Sequence, residues 1–87
     1  MRIEGLVRNI GEIRWFDNKK GEKVASRDIV LESEGRFPEA AVLRLTGKDA
    51  EEFNAGIGQK IACSFSFWAS EYKGRWFNNL QVWKIER

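Results

Sequence analysis

The stretch Ile61-Ala-Cys-Ser-Phe-Ser-Phe-Trp-Ala-Ser-Glu-Tyr-Lys-Gly-Arg-Trp-Phe-Asn-Asn-Leu-Gln-Val-Trp-Lys-Ile-Glu-Arg87 decides the fold. It holds seven of the chain's eleven aromatic residues: Phe65, Phe67, Trp68, Tyr72, Trp76, Phe77 and Trp83. It reads as two β-strands joined by a tight turn at Lys73-Gly74, where glycine supplies the positive φ that a two-residue hairpin requires. If Tyr72 sits opposite Arg75, Phe67 faces Leu80 and Phe65 faces Val82. Directly opposed residues share a face. One side is then apolar: Ile61, Cys63, Phe65, Phe67, Leu80 and Val82. The other carries Ser64, Ser66, Trp68, Ser70, Tyr72, Arg75, Phe77, Asn79, Gln81 and Trp83. A slip by one residue would send Asn79 and Gln81 into the core without partners, which is costly. The surplus is the informative part: Trp68, Tyr72, Phe77 and Trp83 lie on a face the core does not need.

The 87 residues suit one small domain, 1–87, whose modest core is helped by self-association. A hydrophobic content of 43% argues for a folded chain. The net charge of +2 permits an anionic partner without demanding one. The chain has no histidine, which removes Ser-His-Asp and Cys-His catalysis and the usual zinc ligands. Its one cysteine, Cys63, falls on the core side and reads as a small buried hydrophobe. No nucleophile–base pair, phosphate loop or metal-ligand cluster is visible, so a non-enzymatic protein without cofactors is expected. Met1 to Gly5 lacks the apolar run of a signal peptide and no segment reaches membrane-spanning length, so the expected location is cytoplasmic.

Upstream, residues 2–16 alternate as one long strand, with Gly5 and Gly11 marking a bulge or bend. Phe16 to Lys23 is a polar loop carrying Lys19, Lys20 and Lys23. Residues 24–33 and 36–46 are the second and third strands, with Ile29, Leu31, Leu43 and Leu45 inward. Thr46-Gly47-Lys48-Asp49 fits a capping box ahead of a helix from Lys48 to Ala55, with Ala50, Phe53 and Ile57 as its buried stripe and Gly56 as a left-handed cap. The acidic cluster Asp49, Glu51 and Glu52 is expected to serve the helix dipole. The order is three strands, a short helix and two strands. It predicts an all-β, five-stranded OB-fold barrel with one short helix between strands three and four.

The tail Glu71-Tyr-Lys-Gly-Arg-Trp-Phe-Asn-Asn-Leu-Gln-Val-Trp-Lys-Ile-Glu86 resembles the close of an uncharacterised family of small bacterial OB-like proteins, found mainly among the Bacteroidetes. Gly5-Leu6-Val7, Asp28-Ile-Val-Leu-Glu-Ser-Glu-Gly-Arg-Phe-Pro38 and Gly56-Ile-Gly-Gln-Lys60 extend the resemblance over most of the chain. More distantly the layout is similar to single-stranded DNA-binding proteins and to the primosomal replication protein N. The resemblance implies a binding module and carries over no catalytic residue.

Two functions follow from the residues. In the first, single-stranded DNA or RNA stacks its bases on Trp68, Tyr72, Phe77 and Trp83, while Lys73, Arg75, Lys19, Lys20, Lys23 and Arg44 hold phosphates. The OB layout puts the loops after strands one and four beside the ligand groove, so the two basic clusters are expected to converge. Asp28, Glu32, Glu34 and Glu39 oppose this reading. In the second, the same rings form a protein interface, and the chain is a homo-oligomer, dimer or tetramer.

Overall fold

A computed structural model describes residues 1–86. Six strands and one short helix follow in order: β1 (Arg2–Ile10), β2 (Arg14–Asp17), β3 (Lys23–Glu32), β4 (Ala40–Thr46), α1 (Lys48–Glu52), β5 (Lys60–Tyr72) and β6 (Arg75–Glu86). The strands form one sheet, ordered β1-β5-β6-β4-β3-β2. β1 also pairs with β3, so β1, β5, β6, β4 and β3 close into a ring and β2 hangs from β3. All pairings are antiparallel except β4 with β6, which meet in parallel at Arg44 and Gln81.

The ring closes because β1 serves two neighbours. Arg2 to Leu6 pair with β5, and Leu6 to Ile10 pair with β3. The change of partner falls at Gly5, where a Cβ would lie 2.6 Å from the Glu32 carbonyl oxygen. Only a residue without a side chain lets the strands approach so closely. A bulge between Val7 and Asn9 then shifts the parity, so Val7 is buried while Ile10 and Ile13 also pack against the core. The expected single strand over 2–16 is thus two strands. The chain breaks at Gly11, whose N–H donates to the Asp28 carbonyl at 2.8 Å.

The core is aliphatic. Ile29, Leu31, Leu43, Leu45, Ile61, Cys63 and Val7 are sealed, with Phe65 and Val82 at one rim. Apart from Val7 on β1, these are inward positions read from the alternation of β3, β4 and the β5–β6 hairpin. Burial pushes the Cys63 thiol up to about 11, with the Asp49 charge adding to the shift. The thiol is therefore protonated at neutral pH.

The helix departs from expectation. It ends at Glu52, and its N-cap is Gly47, with no capping side chain. The Thr46 hydroxyl instead accepts a 2.9 Å hydrogen bond from Gln81 Nε2, tying β4 to β6. Ala50 is buried and Phe53 packs against the core, but Ile57 is exposed. The glycine with positive φ is Gly58, not Gly56, and its N–H donates to the Val7 carbonyl at 2.7 Å. The third strand begins at Ala40 rather than at residue 36, which leaves Phe37 80% exposed.

Candidate nucleic-acid interface

The β5–β6 hairpin has the register read from its turn. Tyr72 pairs with Arg75, Phe67 with Leu80 and Phe65 with Val82, and Lys73 and Gly74 both have positive φ. Its depth differs from expectation. β5 is buried from Ile61 to Phe65, apart from half-buried Ser64, and exposed at every residue from Ser66 to Tyr72. The hairpin outruns the ring, and the molecule measures 43 × 33 × 21 Å. Phe67, expected in the core, is on the apolar side but 59% exposed because no strand lies opposite it. Trp76 is 70% exposed.

The ribbon therefore has two open faces. Trp68, Ser70, Tyr72, Arg75, Phe77 and Asn79 form one, and Phe67, Ala69, Glu71, Trp76, Asn78 and Leu80 form the other. The first continues onto the outside of the ring, where Asp28, Arg44, Gln81 and Ser66 form one cross-strand row. Asn79 joins the parts: its Nδ2 donates to the Ser70 hydroxyl at 3.0 Å, and its Oδ1 accepts from Arg44 at 3.5 Å. A bulge leaves Trp83 as the extra residue of β6 between Val82 and Lys84. Trp83 stays exposed while Ile85 swings inward beside Cys63.

Farther along the same outer surface lies an open groove of about 500 Å³, lined by Gly11, Glu12, Arg14, Trp15, Phe16, Ser26, Arg27, Asp28 and Arg44. Arg14, Trp15 and Phe16 are absent from the residues the sequence nominated. The signal was there: alternation restarts after the Gly11 break, with Arg14 paired to Ser26 and Phe16 to Val24 on the outer face. Reading residues 2–16 as one continuous strand hid it.

Charge is sorted over the surface. Ion pairs occupy the β1, β5 and β6 side: Arg2 with Glu4 and Glu86, Lys60 with Glu4 and Glu34, Arg8 with Glu32, and Lys84 with Glu86. The Lys60 hydrogen bond, then its charge, holds the Glu4 carboxyl below its usual range, and Glu4 in turn raises Lys60. Lys84 lowers Glu86 in the same way. Two of the carboxylates that opposed an anionic ligand, Glu32 and Glu34, stand in exposed ion pairs, at 3.6 Å from Arg8 and 3.7 Å from Lys60. By contrast Arg14, Lys19, Lys20, Arg44, Lys73 and Arg75 have no carboxylate within 4.0 Å among the described residues. Lys23 does, pairing with Asp17 at 2.8 Å.

The two basic loops do not converge. Asn18 folds the first loop, its side-chain oxygen accepting from the N–H groups of Lys20 and Glu22. That loop precedes β3, which runs against β4, whereas the Lys73-Gly74 turn precedes β6, which runs with β4. The loops therefore lie at opposite ends of the outer face, on the order of 40 Å apart along the strands at ~3.3 Å per residue.

A family profile described as a domain of unknown function, DUF3127, matches residues 2–86. The chain belongs to the DUF3127 family. No curated protein matches it. No helix among the described residues of this DUF3127 domain is long and apolar enough to cross a membrane.

Proposed function

We propose that this chain is an OB-fold module that binds single-stranded nucleic acid along the outer face of β3, β4 and the β5–β6 ribbon. The ring order β1-β3-β4-β6-β5, with a parallel β4–β6 contact and a helix between β4 and β5, supports the OB reading. With β1 and β2 counted as one broken strand, the outer face of β3 and β4 corresponds to the usual ligand surface. The loop at 18–22 and the turn at 73–74 then border it at either end.

One observation carries the reading. Exposed rings and cations outside any ion pair occupy the same face: Phe16, Trp68, Tyr72 and Phe77 with Arg14, Arg44, Lys73 and Arg75, against the carboxylates of Asp28 and Glu12 in the groove. A nucleotide has a π-faced base and a phosphate, and this surface offers both complements. Stacking contributes roughly 1–3 kcal/mol per base. The groove at Arg14 and Arg44 gives the backbone an anchored start, and the ribbon rings continue the path. Lys19 and Lys20 extend it at one end, and Trp83 lies toward the same end.

Titration with oligothymidylate and oligouridylate, followed by tryptophan emission, tests this. Four phosphate contacts predict a log–log salt slope of about −3, so a fourfold rise in salt weakens binding on the order of 50-fold. Unchanged emission with either strand at low salt overturns the proposal.

A further inference from the structure

The free edge of β5 is long and almost unguarded. β1 covers β5 only as far as Ser64, and Met1 extends the cover by one residue. Met1 and Phe65 exchange both backbone hydrogen bonds, at 2.7 and 2.8 Å. That exchange fixes the phase: the N–H and C=O of Phe65 point away from β6. By the period of two, those of Phe67, Ala69 and Glu71 point the same way, into open space. Edge strands are normally guarded by charged side chains, above all lysine, by proline, by a bulge or by extreme shortness. Ser66-Phe-Trp-Ala-Ser-Glu-Tyr72 has only Glu71 near its end as a guard, and all seven residues are exposed. A two-stranded ribbon is also marginal alone in water, whereas four strands are not.

We infer that this edge pairs antiparallel with the same edge of a second copy, about a two-fold axis through Ala69. The sequence of the edge itself matches a second copy. Centred on Ala69, the pairing sets Ser66 against Tyr72, Phe67 against Glu71, Trp68 against Ser70 and Ala69 against itself. Every ring meets a non-aromatic residue, and a small side chain lies on the axis, where each residue meets its own copy. The outward-pointing residues coincide in this register. Phe67, Ala69 and Glu71 of one copy meet Glu71, Ala69 and Phe67 of the second copy as hydrogen-bonded pairs, giving about six N–H···O bonds. A two-fold axis needs such self-complementarity.

Phe67, Trp68 and Tyr72 are 59%, 47% and 65% exposed. Edge pairing covers the flanks of these rings and leaves their faces bare, so the backbone ladder rather than ring burial holds the pair. Edge pairing leaves both faces of the ribbon open, so the outer faces of two copies join into one four-stranded surface.

Sedimentation equilibrium over a concentration series tests the inference without nucleic acid, so its outcome is independent of the binding proposal. The native chain approaches twice its 10.1 kDa mass. Ala69→Lys and Ala69→Glu each place like charges on the axis and stay monomeric. An equimolar mixture of the two recovers the dimer, which separates loss of pairing from loss of fold. Ala69→Pro, which removes an N–H that β6 does not use, also stays monomeric. A native chain that remains at 10.1 kDa up to its solubility limit overturns the inference. So does a dimer that survives both charged variants, or a mixture that stays monomeric.

Discussion

The two halves of β5 have the same alternation and opposite fates. From Ile61 to Phe65, inward side chains meet the ring and are sealed. From Ser66 to Tyr72, the same inward parity meets water. Phe65 and Phe67 are two residues apart on one face, yet one is 7% exposed and the other 59%. Alternation dictates which face a side chain takes. Whether that face is covered depends on what the topology sets opposite it. The buried half works for the fold, and the projecting half is free to work for binding.

The largest expected difference is in stability. Leu43→Ala empties a fully buried site and is expected to cost about 2–5 kcal/mol. Trp76→Ala removes a larger side chain from the ribbon and is expected to shift stability by only about 0.5 kcal/mol either way. Urea unfolding of both variants checks this. A cost at Trp76 equal to that at Leu43 would erase the division between the two halves.

The smallest effect lies in the ion pairs that occupy the opposite surface. Lys60→Ala removes the principal cause that depresses the Glu4 carboxyl, so its titration midpoint moves up toward the ordinary carboxylate value. Because the native pKa is depressed, any stabilisation from Glu4 is present above the unfolded pKa and is lost as pH falls through the folded one. The pair is exposed, and screening keeps its effect on the melting temperature small. Carboxyl-resolved NMR titration reads the shift. An unmoved midpoint would mean that the surface charges are not sorted as described.

Much of the fold was legible in the sequence because local rules set it. Gly74 with its neighbour Lys73 fixed the hairpin register, and the parity of Ile29, Leu31, Leu43 and Leu45 marked the core. Gly5 and Gly11 announced interruptions of the first strand, though the bulge itself falls between Val7 and Asn9. What was not legible depends on long-range contact. The Thr46 hydroxyl suits a helix cap, but Gln81, 35 residues away, takes it as an acceptor. Phe67 has a core pattern, but the ring ends before it. The groove beside Arg14 exists only because a break at Gly11 frees Arg14 to Asp17 to pair with β3. The opposite placement of the two basic loops follows from the parallel β4–β6 contact, which no local signal encodes.

The central claim is that the ribbon rings serve a ligand and not the core, and a Trp68→Ala/Phe77→Ala double variant tests it most directly. Its melting temperature and its affinity for a dye-labelled single strand, read by anisotropy, are measured on one sample. The account predicts a melting temperature within about 5 °C of the native protein. It also predicts binding weakened by about 30-fold or more, as expected for two lost stacking platforms. A native-like affinity, or a collapse of the melting transition together with the binding, would contradict it.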